Sequence, residues 1–192
     1  MLRVSLARSV EEFETQVQGR RAALQLNLRI DFAFIAGYWL VFATMSALFA
    51  LRGFRGADWL GAVAGELATI GALADVSENV FTLRLLRRSE GTPGDDQPAK
   101  LATSMRRSSL VKWTFLFAAI GLLSLMFFQR GGSIIILGAV FAIPATLGLA
   151  TIAADAARLK IDDLWLERML RAAFLGNGIA LLVGLPVAAS QL

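Results

Sequence analysis

Long runs of apolar residues dominate the chain, and the charged residues gather between them. Five such runs lie at about 30–51, 59–86, 110–128, 134–154 and 172–189. A run of about 18 or more apolar residues can cross the ~30 Å hydrocarbon core of a bilayer as a helix. Because backbone groups in lipid must be satisfied within their own segment, these runs predict helices rather than strands. We therefore predict an all-α fold, a polytopic membrane bundle of five transmembrane helices within residues 29–192.

The first 28 residues have a different pattern, in which apolar residues recur at helical spacing among polar ones. Ser9 followed by Glu12 fits a capping box, in which each side chain satisfies a free amide at the start of a helix. The pattern predicts an amphipathic helix over 1–28 that lies at the membrane surface or beneath the bundle, with Gly19 as a point of bending.

The positions of the basic residues predict the topology of the bundle. With five spans, sixteen of the 19 Lys and Arg residues fall on the side of the N-terminus and three on the other side. Basic residues are enriched in cytosolic loops, so the N-terminus is predicted to be cytosolic and the C-terminus outside. Arginine greatly outnumbers lysine, which we interpret as a sign of a GC-rich bacterial genome, and the predicted location is the bacterial inner membrane.

Composition narrows the chemistry that the chain can carry. The chain is 56% hydrophobic and 18% charged, with a mean hydropathy of +0.62. The net charge of +4 is accounted for by the loop arginines, so membrane lipids rather than nucleic acid are the expected partners. The absence of His and Cys excludes His-ligated haem, Cys- or His-containing zinc sites and Ser-His-Asp triads.

Small residues predict where the helices pack, because close approach of helices in lipid depends on small side chains. In the fourth run a small residue stands at every fourth position, which predicts its contact face: Gly138, Ala142, Thr146, Ala150 and Ala154. The second run carries a similar series that leads directly into polar residues: Gly61, Gly65, Ala68, Ala72, Asp75 and Asn79.

The polar residues of the first two runs are the candidate binding site. Asp75, Glu78 and Asn79 are spaced i, i+3 and i+4, so they share one helix face. Asp31 and Tyr38 share a face of the first run, and antiparallel packing would bring Asp31 to the depth of the other acids. We predict a cytosol-facing cavity, because ionisable residues inside a membrane usually serve function. Asp155 is a further candidate, the role of Glu66 is left open, and three arginines are expected to contact phosphates or lipid headgroups at its mouth: Arg84, Arg106 and Arg107.

Three functions fit these residues, and the sequence leaves open whether the protein is an enzyme. The first is a binding or accessory subunit that holds a protein partner, a lipid or a pigment. The second is a membrane enzyme acting on a phosphorylated lipid, with Mg²⁺ held by Asp75 and Glu78, since Mg²⁺ prefers oxygen ligands. The third is a proton- or cation-coupled transporter, which would require a homo-oligomer because no internal repeat is found.

Overall fold

The computed structural model describes residues 2–51, 58–89, 97–131 and 135–156, together with positions 168 and 172. Within these ranges the regular structure is helical, in the order α1 (Leu2–Ser5), α2 (Val10–Val17), α3 (Arg21–Leu51), α4 (Asp58–Ser89), α5 (Pro98–Arg130) and α6 (Ile135–Ala156). Helices α3 to α6 are long and apolar enough to cross a membrane. The described part of the chain therefore has the helices of a multipass membrane protein.

The predicted fifth span at 172–189 lies outside the described residues, apart from Ala172. The structure thus supports four spans. The fifth span stays a prediction, as does the location of the C-terminus that depends on it.

The N-terminal region is not the single helix predicted over 1–28. The chain forms two short helices, α1 and α2, and the last eight residues of that range are already the first turns of α3. Ser9 caps α2 and its side chain accepts a hydrogen bond from the Glu12 amide, while the Glu12 carboxylate accepts from the Arg8 amide rather than from Ser9. Gly19 has a φ of +71°, in the left-handed region that favours glycine, and ends the helical path between α2 and α3.

Three of the helices are longer than a bilayer requires. Helices α3, α4 and α5 contain 31, 32 and 33 residues. At a rise of 1.5 Å per residue each is roughly 45 to 50 Å long, well beyond the ~30 Å hydrocarbon core. Helix α5 begins at Pro98, twelve residues before the predicted start of the third span. The arginines assigned to a loop thus lie on helical extensions.

The chain divides into two compact units, the first of which comprises Met1–Leu40 and Ile70–Lys112. Its apolar core joins the N-terminal helices to α3, α4 and α5, through Ala7, Phe13, Val17, Leu24, Leu28, Leu85, Leu86, Leu101, Ala102 and Met105. A polar contact reinforces this packing, since Arg106 Nη1 donates to the Leu6 carbonyl at 2.7 Å. The N-terminal segment is thereby fixed to the ends of the long helices.

The second unit comprises Val41–Thr69 and Trp113–Leu192. Helices α5 and α6 are held together by a hydrogen bond from Ser124 Oγ to the Gly138 carbonyl at 2.8 Å. The rings of Phe127 and Phe141 stack beside it with centroids 5.6 Å apart, and Phe49 of α3 meets Phe127 edge-on. These contacts are typical of helices that approach closely in lipid.

The small-residue series of α4 is buried as predicted except for the half-buried Gly65, but the series of α6 is not its contact face. Gly138 is buried, whereas Thr146 and Ala150 are exposed. The buried positions of α6 are instead Phe141, Pro144, Ala145, Gly148, Thr151 and Ile152. A strict four-residue spacing advances by 400° rather than 360°, so it drifts around a helix with ~3.6 residues per turn.

Candidate functional site

Helix α4 supplies the central residues of the candidate site. Asp75, Glu78 and Asn79 are 5%, 2% and 0% exposed, respectively. Their i, i+3, i+4 spacing places them on one face, which continues the buried small residues of the same helix. All three belong to the first compact unit.

Asp75 joins α4 to both neighbouring helices. Its Oδ2 accepts a hydrogen bond from the Tyr38 hydroxyl of α3 at 3.0 Å. Its Oδ1 accepts one from the Lys112 ammonium of α5 at 2.9 Å. Both carboxylate oxygens of Asp75 therefore have a donor, one from each neighbouring helix.

Glu78 shares the same ammonium. Lys112 Nζ lies 2.7 Å from Glu78 Oε2, which makes an ion pair, although this oxygen has no partner in hydrogen-bond geometry. Lys112 is itself buried, with 7% of its surface exposed. A single buried cation thus bridges two buried carboxylates on the adjacent helix.

Asn79 connects α4 to Asp31 at the N-terminal part of α3. Its Nδ2 donates to Asp31 Oδ2 at 2.8 Å, and Asp31 is half-buried. The geometry fixes the orientation of the amide, because only Nδ2 can donate to a carboxylate. Asn79 Oδ1 is buried and has no hydrogen-bond partner.

The structure therefore brings together all five predicted binding residues and adds a sixth. We call this set the polar cluster: Asp31, Tyr38, Asp75, Glu78, Asn79 and Lys112. It links α3, α4 and α5 within the first unit through side-chain contacts. Removing one partner of a buried ion pair costs about 3–5 kcal/mol, so the cluster should fix the packing of the three helices.

Lys112 is the member that sequence reasoning missed. The positive-inside count includes it among the sixteen basic residues on the side of the N-terminus, although it lies inside the predicted span 110–128. A lysine within a span needs a partner, and the acids of α4 lie at a similar predicted distance from the same membrane surface. That depth match is the signal that could have identified it.

The three predicted headgroup arginines have different surroundings. Arg106 is half-buried and donates to the Leu6 carbonyl, so its Nη1 stabilises the N-terminal segment. Arg84 and Arg107 are exposed. Contacts of these residues with phosphates or headgroups stay a prediction.

The side chains of the polar cluster are not arranged as a metal-binding site. Among the described residues, no group of three or more Asp, Glu, His or Cys side chains is arranged to hold a metal ion. The Lys112 ammonium already pairs with both proposed magnesium ligands, Asp75 and Glu78. A divalent cation would have to displace it, and we assign no metal here.

Two other acids considered from the sequence lie in the second unit. Glu66 is exposed on α4, and Asp155 is half-buried near the end of α6. Participation of Asp155 in the site therefore stays a prediction.

No protein-family model, curated protein sequence or solved structure matches this chain.

Proposed function

We propose that the protein is a binding or accessory subunit of a membrane complex, whose polar cluster holds three helices in a defined arrangement. One observation carries this proposal: Lys112 bridges Asp75 and Glu78 in the interior of the bundle. The acids that could have coordinated a metal or substrate are thereby engaged by another side chain of the same chain. Such a network favours a scaffold with a fixed packing over an open catalytic site.

The outer surface of the helices supports the same proposal. Large apolar side chains that are more than half exposed occur on all four long helices: Leu26, Ile30, Leu40, Trp59, Leu73, Leu125, Ile136 and Ile143. Lipid or a partner helix would cover these side chains in a membrane. The exposed surface is thus suited to lateral association.

Site-specific photo-crosslinking in the native membrane tests whether a partner protein is present. A benzophenone side chain would replace Leu40, Leu73 or Ile143, one position at a time, with buried Met105 as the matched control. At least one exposed position should give a crosslink to a second protein of defined mass, and Met105 should not. Adducts with lipid alone at every exposed position would contradict the accessory role.

Native mass spectrometry after gentle extraction separates this function from the other two. A co-purifying subunit is the expected result. A bound phospholipid together with Mg²⁺-dependent turnover would indicate the lipid enzyme, and a homodimer that lacks any partner would indicate the transporter. Transport has one specific observation in its favour, because the cluster holds three carboxyl groups and one amine.

The proposed setting is the bacterial inner membrane with a cytosolic N-terminus. It is supported by the distribution of basic residues, sixteen of which fall on one side of a five-span arrangement. Reporter fusions at the two ends test it, because five spans place the termini on opposite sides and four spans place them on the same side.

A further inference from the structure

The buried part of the polar cluster contains more acid than base. Asp75 and Glu78 are both buried, and each contacts the ammonium of Lys112. Within the described ranges, no second cation pairs with either carboxylate. With both acids ionised the trio would carry one uncompensated negative charge, which is costly away from water.

The same region is also short of hydrogen-bond donors. The buried acceptor Asn79 Oδ1 has no hydrogen-bond partner, whereas Glu78 Oε2 lies 2.7 Å from the Lys112 ammonium. Asn79 is 0% exposed, and its orientation is fixed by its contact with Asp31. An ionised carboxylate cannot donate a hydrogen bond, whereas a protonated one can. The excess charge and the missing donor both point to one additional proton.

We propose that the Asp75–Glu78 pair binds one exchangeable proton and holds it in the interior of the bundle. Tyr38 from α3 and Lys112 from α5 contact the pair directly, and Asp31 from α3 is bonded to the neighbouring Asn79. Uptake transfers a proton from hydronium to one carboxylate, leaving water and a carboxylic acid, and release reverses this step. The proton belongs to the coupled pair rather than to either residue. This site is independent of which partner the bundle binds.

Infrared spectroscopy of the full chain in lipid nanodiscs tests this proposal directly. A protonated carboxyl group absorbs at a C=O stretch that ionised carboxylates lack, and the band shifts in heavy water. The wild-type protein near neutral pH should show one such band from the pair. Asp75→Asn and Glu78→Gln should each abolish it, because the remaining acid and Lys112 form a neutral pair.

A third variant should increase the number of protonated carboxyl groups instead of reducing it. Lys112→Met leaves two buried acids without a cation, so the band should double in intensity. Glu66→Gln is the matched control, because Glu66 is an exposed acid on the same helix, and it should leave the band of the pair unchanged.

Three results would overturn the proposal. They are the absence of a protonated carboxyl band in the wild-type protein, its persistence in both amide variants, or its loss in Glu66→Gln alone. Circular dichroism establishes that each variant remains helical. If Lys112→Met does not fold, the two amide variants still decide the question, since each retains one ion pair.

Discussion

Replacing Lys112 with methionine would remove the cation that bridges two helices while keeping a side chain of similar length. The ammonium lies 2.9 Å from Asp75 Oδ1 and 2.7 Å from Glu78 Oε2, and the residue is 7% exposed. Breaking a buried ion pair by removing one partner costs about 3–5 kcal/mol, because an uncompensated charge remains. We expect Lys112→Met to lower the free energy of unfolding by about that amount at neutral pH. Without the cation both acids are held protonated, and the deficit should shrink as the pH falls because that protonation then costs less free energy.

The acid variants provide an internal comparison. Asp75→Asn and Glu78→Gln each leave Lys112 with one carboxylate, so each should cost less than Lys112→Met. Combining Lys112→Met with both amide substitutions should recover part of the loss, because a buried ionic group can often be replaced by neutral side chains. That recovery would separate the cost of an unpaired charge from the cost of altered packing.

Denaturant unfolding in mixed micelles, followed by circular dichroism, measures these free energies. Lys100→Met is the matched control, since Lys100 lies on the same helix and is exposed. Substitutions of this kind at the surface usually change stability by no more than about 0.5 kcal/mol. A loss below about 1 kcal/mol for Lys112→Met, well under the buried-pair cost, would refute the reasoning. So would amide variants that are as unstable as Lys112→Met.

Two further predictions concern packing and capping. Gly148→Ala should destabilise the protein by about 1–3 kcal/mol, because overpacking forces neighbouring groups to shift; the added Cβ would clash with the buried Phe117 ring. The same denaturant-unfolding assay should find Gly37→Ala neutral or stabilising, since nothing lies within 4 Å of its Cβ position. Ser9→Ala should weaken α2 by about 1 kcal/mol through loss of the N-cap, seen as faster amide hydrogen exchange in Val10–Val17, and unchanged exchange would contradict it.

The sequence was sufficient to predict which residues of α4 belong to the polar cluster, because two independent constraints coincide there. Helical periodicity places Asp75, Glu78 and Asn79 on one face, and the cost of charge in lipid requires that face to be buried. The contacts with Asp31 and Tyr38 follow from antiparallel packing of consecutive helices. These are local rules, and they do not depend on the ends of the helices.

The helix ends could not be predicted from hydropathy. An apolar run marks only the part of a helix that lies in the hydrocarbon core, and the helix can extend beyond it. Helix α3 begins at Arg21 and α5 at Pro98, each well before its apolar run. Those extra turns are stabilised by the apolar core that contains Phe13, Leu28 and Met105. Such a core depends on contacts between distant segments, which periodicity within one segment does not reveal.

Lys112 shows how the assignment of a residue to a loop conceals its chemistry. The positive-inside rule explains a lysine near the end of a span by topology, and that explanation requires no partner for the residue. Its burial and its two carboxylate contacts show that topology cannot be the full explanation. A lysine that only set orientation would be solvated, whereas this one lies where its removal leaves two acids facing each other. Because both acids share one cation, the charge of the site depends on one proton, and the infrared band of that proton measures it directly.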